Sequence, residues 1–196
     1  MAEGIYQFPR GFLWGTATAA HQVEGQNENN NWSEWEKEPG RIHGGNKAGL
    51  ACDWWNGRWK EDLTHAAEAG QNAHRFSIEW SRIQPSTDTW NEKAVEKYRS
   101  MIQGMRRLGL EPVVTLHHFS DPLWIYRKGG WENPETVTHF SAFVRYAVEA
   151  LKDLVDLWVT INEPAVYTVG GYLGGGFPPG KNDLGSAYSV DRKSVV

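Results

Sequence analysis

Cysteine is almost absent: Cys52 stands alone among 196 residues. No disulfide can form within the chain, and a reducing compartment, the cytoplasm, is the expected location. No apolar run approaches the ~20 residues of a membrane helix. The opening MAEGIYQFPRGFLWG lacks a basic segment followed by an apolar one, so no signal peptide is expected. Basic excess is missing too. A net charge of −4 and a pI near 6.0 argue against nucleic acid or anionic lipid as a partner. No His/Cys/Asp/Glu cluster has metal-ligand spacing, so no metal is expected. The one glycine-rich stretch, GYLGGGFPPG (Gly171–Gly180), leads into prolines rather than a helix. It reads as a long loop, not a phosphate cradle.

What is abundant is tryptophan, 11 residues of it. Buried Trp needs a partner for its N–H. Flat aromatic faces also suit a ligand with apolar ring faces and polar edges, such as a sugar. Elements alternate along the chain. Strands are expected at Gly11–Thr18, Asn72–Trp80, Glu111–Phe119 and Asp156–Pro164, and helices at Trp54–Gly70, Asn91–Gly109 and Thr136–Asp153, the last starting near Asn133-Pro134. Helix-to-strand turns are short, at Gly70-Gln71 and Gly109-Leu110, and several strand-to-helix loops are long. Such an order implies a parallel sheet with outer helices, of α/β class. A doubly wound sheet would want a glycine-rich phosphate turn, which is missing. The expectation is therefore a (β/α)8 TIM barrel, whose sites lie at the C-terminal ends of the strands. Four strands make about the first four of its β/α units.

The strand ends carry polar residues: Gln22 and Glu24, then Arg75, Ser77 and Glu79, then His117 and His118, then Asn162 and Glu163. His117 and His118 are strand neighbours and point to opposite faces, a poor metal site. A charge at Arg75, on a strand covered on both faces, wants a partner. The fourth strand, WVTINEP, runs apolar residues into Asn162-Glu163 and is stopped by Pro164. A half-buried carboxylate there, beside an amide, has the makings of a proton donor with a hydroxyl-binding neighbour. Asn27–Asn30, NENN, reads as surface.

FLWGTATAAHQVEG, HRFSIEWSRI, VTLHHFSDPLW and TINEP occur in this order. Together they resemble the signatures of glycoside hydrolase family 1, the β-glucosidase and β-galactosidase family, over its N-terminal part only. The resemblance implies a retaining β-glycosidase acting on small β-glycosides or oligosaccharides by double displacement, without metal or cofactor. It implies Glu163 as general acid/base and Arg75 as support for the nucleophile's carboxylate. Gln22, His118 and Asn162 become sugar contacts, with Phe119 as an aromatic wall where Trp is commoner. Ala165 stands where many members carry a large aglycone-facing side chain. The family's nucleophile, the Glu of an E-N-G segment, has no counterpart in these 196 residues, so the chain alone is expected to be inactive. The alternative is a sugar-binding or inactive half-barrel protein. Residues 1–190 are expected to form one half-barrel. Asp191–Val196 resemble a translated sequencing adapter and are expected to be a non-native tail without structure.

Overall fold

The computed structural model describes residues 7–195. Four parallel strands, β1 (Gly15–Ala17), β2 (Ala73–Ser77), β3 (Glu111–His117) and β4 (Leu157–Ile161), lie side by side in sequence order. No strand is out of order, which suits a barrel wall and not a doubly wound sheet. The register pairs Ala17 with Arg75, Ser77 with Thr115, and His117 with Ile161. After β1 come the short helices α1 (Ala20–Val23) and α2 (Asn31–Trp35), then α3 (Trp59–Glu68). β2 is followed by α4 (Trp80–Ile83) and α5 (Glu92–Arg107), and β3 by α6 (Leu123–Arg127) and α7 (Glu135–Leu151). β4 is followed by α8 (Pro164–Thr168), a π-helical turn at Val169–Leu173, and α9 (Leu184–Asp191).

Alternation along β2 and β3 places Phe76, Val114 and Leu116 on one face and Arg75 and Thr115 on the other. The apolar face meets Leu63 of α3, Met101, Ile102 and Met105 of α5, and Phe143, Ala147 and Leu151 of α7. Each large side chain removed from water there contributes about 1.5–3 kcal/mol. α5 is legible from its ends: the Asn91 side chain accepts from Ala94 N at 3.2 Å, and Gly109 closes it at φ +74°. α5 also carries a tight fit. A Cβ on Gly104 would lie 2.2 Å from Cζ3 of Trp59. Gly104→Ala is expected to destabilise the chain by about 1–3 kcal/mol, because the overpacked ring must shift. Urea unfolding checks this, and an unchanged midpoint would contradict the fit.

His74 is buried between β1 and β2. Its ring nitrogens lie 3.1 Å from Thr16 Oγ1 and 3.2 Å from Thr18 Oγ1, and Trp54 packs beside it. Burial pushes its pKa down from 6.5 to about 4. The unfolded chain then binds the extra proton between those values, so stability is complete above pH 6.5 and falls as the pH drops toward 4. The gap corresponds to roughly 3 kcal/mol. In His74→Gln that acid-side loss is expected to disappear. Denaturant unfolding of both chains at pH 7 and pH 4.5 measures it.

Several boundaries differ from the expected ones. β1 spans only Gly15–Ala17, and the strand at Asn72–Trp80 stops at Ser77, since Trp80 opens α4. The helix expected at Trp54–Gly70 is broken: Gly57, at φ +105°, separates a 3-10 turn (Trp54–Asn56) from α3. Gly171–Gly180 is not loop throughout, because the π-helical turn runs to Leu173. Asp191 ends α9 and Arg192–Val195 continue as a 3-10 turn, contrary to the expected lack of structure. The Asp183 side chain caps α9 by accepting from Ser186 N at 2.7 Å.

Candidate active site

Three strand ends meet at one amide. Arg75 donates from Nε to Thr115 Oγ1 (2.8 Å) and from a terminal nitrogen to Asn162 Oδ1 (2.5 Å). The Asn162 Nδ2 lies 3.2 Å from His118 Nε2 and 3.4 Å from Glu163 Oε2. Its main-chain N–H donates to His117 O at 2.8 Å. Asn162 is 5% exposed and uses both ends of its amide, so its orientation is fixed by Arg75 on one side. Because Asn162 donates to Nε2, the His118 proton resides on Nδ1, which has no partner among the described residues. Burial first, and the Arg75 charge second, bring His118 down to about 4. It is therefore neutral at physiological pH.

Two non-glycine residues at these strand ends are left-handed, Phe119 at φ +69° and Glu163 at φ +42°, ψ +61°. Such positions store strain and concentrate at functional sites. The turn at Glu163 lifts its side chain off the strand line. Pro164 then does more than end the ladder: it is the first residue of α8, where its missing N–H costs nothing. The Glu163 carboxylate is exposed rather than half-buried as expected. The physical reason is that, among the described residues, β4 lies at the edge of the sheet and pairs with β3 alone.

Beside this network lies a cleft of about 360 Å³ whose wall includes Gln22, His118 and Phe119, together with His21, Trp32 and Ile42. Gln22 sits exposed on α1. Arg75, Asn162 and Glu163 are not part of that wall; they join it through the hydrogen bonds to and around His118. Trp32 and His21 are the residues that sequence reasoning misses. Trp32 donates from Nε1 to the Phe119 carbonyl (3.0 Å), and its ring stands edge-on to Phe177. His21 is held between Glu36 (2.7 Å) and Asn30 (3.2 Å). The available signal is NNNWSEW, an Asn cap followed by Trp. Asn30 is fully buried and caps α2 by accepting from Ser33 N at 2.8 Å, so this part of Asn27–Asn30 is not surface.

The other motif acids support rather than face the cleft. Glu24 is paired with Arg82 at 2.6 Å and accepts from the Tyr98 hydroxyl at 2.7 Å. Glu79 accepts from Ser81 and Ser120, each at 2.8 Å. Both are buried. Burial pushes Glu24 up to about 7, with the nearby Glu79 adding to it and Arg82 opposing. Among the described residues no group of three or more His, Cys, Asp or Glu is placed to hold a metal ion, and no helix is long and apolar enough to cross a membrane.

Residues 5–196 match the family model described as glycosyl hydrolase family 1. The chain belongs to this family. Among its relatives is the β-glucosidase A of Thermotoga maritima, 37% identical over 190 residues, which cover 94% of this chain and 42% of the relative. The 6-phospho-β-galactosidase of Clostridium acetobutylicum is 36% identical over 196 residues, 96% of this chain and 40% of the relative. In structure, the chain is similar to the T. maritima β-glucosidase solved with cyclophellitol (TM-score 0.91, 37% identity, 95% of this chain and 44% of that one). It is also similar to the β-glycosidase from Pyrococcus horikoshii (TM-score 0.85, 40% identity, 93% and 42%). The chain thus spans less than half the length of these family 1 proteins, and its four-stranded parallel sheet corresponds to the first four β/α units of their TIM barrel.

Proposed function

We propose that the chain supplies the acid/base half of a retaining β-glycosidase that cleaves terminal β-D-glycosides, β-glucosides foremost. The observation that carries this reading is Asn162. It holds Arg75 on one side and His118 and Glu163 on the other, at the mouth end of the sheet beside an aromatic cleft. In this reading Glu163 protonates the glycosidic oxygen and then takes a proton from the incoming water. Asn162 bonds the sugar 2-hydroxyl, a contact that tightens in the transition state. Gln22 and His118 hold further hydroxyls, and Phe119 supplies a ring face for the sugar.

Double displacement needs a second carboxylate about 5–5.5 Å from the first. No E-N-G segment occurs in the 196 residues. Arg75, in the role proposed, waits for that carboxylate: it has hydrogen bonds but no ion pair among the described residues. Double displacement of this kind calls for no metal or cofactor. The exposed, free Cys52 suits the cytoplasm.

The test is to sequence the gene downstream of the Tyr188 codon and to assay two proteins on an aryl β-glucoside. The 196-residue chain is expected to show no turnover. The product of a longer frame containing an E-N-G segment is expected to hydrolyse the substrate. Turnover by the 196-residue chain that is lost in Glu163→Gln would overturn the division of labour.

A further inference from the structure

Asp121 has no part in the roles given above, and the T-L-x-H-[WF]-x-x-P pattern leaves its position open. It is 1% exposed, and both of its oxygens are used. Oδ1 accepts from Trp131 Nε1 at 3.0 Å and lies 2.9 Å from His117 Nε2. Oδ2 accepts from the Tyr167 hydroxyl at 2.8 Å. Since both oxygens accept, His117 must join as a donor from Nε2. Its Nδ1 is buried without a partner among the described residues. The Asp121 main chain is tied as well: its N–H donates to Asn31 Oδ1 (2.9 Å), and its carbonyl accepts from Asn31 N (3.0 Å). The Asp121 carboxylate therefore joins the end of β3, the 3-10 turn Gly130–Glu132 and α8, and its main chain adds α2.

Two of these arms end next to the site. His117 precedes His118, and its carbonyl takes the N–H of Asn162. Tyr167 lies one helical turn after Glu163 and donates its N–H to the Glu163 carbonyl at 3.0 Å. We propose that Asp121 is a positioning residue: it sets β3 through His117 and α8 through Tyr167, so that His118, Asn162 and Glu163 converge. This rests on reading Glu163 as the acid/base. The physical ground is that a buried carboxylate with both oxygens engaged holds its partners in one arrangement, whereas an apolar filler would pack in several. A catalytic group displaced by ~1 Å loses much of its effect.

The experiment uses the 196-residue chain and no substrate, so its outcome is independent of whether the assembled protein hydrolyses glycosides. NMR of isotope-labelled chain follows the His118 ring nitrogens, the Asn162 side-chain amide and the Glu163 main-chain amide. In Asp121→Leu all three sets are expected to move, with His118 losing its single Nδ1–H tautomer. In Tyr167→Phe, Glu163 is expected to move while the His118 ring stays. In His117→Gln the reverse is expected. A merely structural role would lower the melting temperature and leave the His118 tautomer intact. Unchanged His118 and Glu163 signals in folded Asp121→Leu would overturn the proposal. Should that variant fail to fold, unchanged signals in both single-arm variants would overturn it equally.

Discussion

Glu163→Gln is expected to cost the assembled glycosidase about 10²–10⁴ in kcat/KM on substrates with a poor leaving group, the usual contribution of a positioned acid/base. The amide keeps the shape of the carboxyl and can donate a hydrogen bond, but it cannot transfer a proton. The loss should follow leaving-group basicity. An alkyl glucoside needs its departing oxygen protonated and should suffer most. A dinitrophenyl glucoside leaves as a stable anion and should form the glycosyl-enzyme nearly as fast as before. Release of that intermediate, which needs the same residue as a base, should then limit turnover. The check is kcat/KM across a series of aryl and alkyl β-glucosides. An equal loss on every substrate would point to a damaged fold or binding site and remove Glu163 from the acid/base role.

Arg82→Met is expected to destabilise the chain by about 3–5 kcal/mol, the cost of leaving a buried ion pair half-broken. Arg82 lies 2.6 Å from Glu24, also donates to the Gly25 carbonyl, and stacks over Trp55 at 3.8 Å. Removing it leaves Glu24 and Glu79 buried with no cation at the pair. The penalty should depend on pH. Burial already raises Glu24 to about 7, so at pH 5.5 it takes up a proton and the uncompensated charge is relieved. At pH 8 Glu24 of the unaltered chain is ionised, and the variant must either hold that charge without Arg82 or take up a proton, so the cost is larger there. Urea unfolding of both chains at the two pH values measures this. A loss below 1 kcal/mol at pH 8, or one larger at pH 5.5 than at pH 8, would contradict it.

The sheet is legible in the sequence where patterning is unambiguous. NAHRFSIEW and EPVVTLHHF alternate as strands do, and α5 shows both its Asn cap and its closing glycine. Strand ends are less legible, because β-rich residues continue past the last ladder bond. Ile78 and Trp80 still face the core after β2 has stopped, Ile78 from the link and Trp80 from the first position of α4. The tail DRKSV carries no apolar period, and its 3-10 turn follows from the capped helix before it. The site residues divide in the same way. Asn162 and Glu163 are legible because an amide and a carboxylate at a strand end have no core role. Their coupling is not, since it depends on Arg75 and His118, 87 and 44 residues away in the chain. Trp32 stays hidden in α2, a helix of five residues too short to show a period that would betray its direction. The exposure of Glu163 is likewise a property of the edge strand and not of its local sequence.

The most direct test is the anomer released first. NMR of an aryl β-glucoside during early turnover by the assembled protein should show β-glucose, with the α form growing in later by mutarotation. Paired with Glu163→Gln, in which release is suppressed, that result fits double displacement with Glu163 as acid/base. α-Glucose as the first product would mean direct displacement by water across more widely separated carboxylates, and would contradict a retaining site built around Glu163.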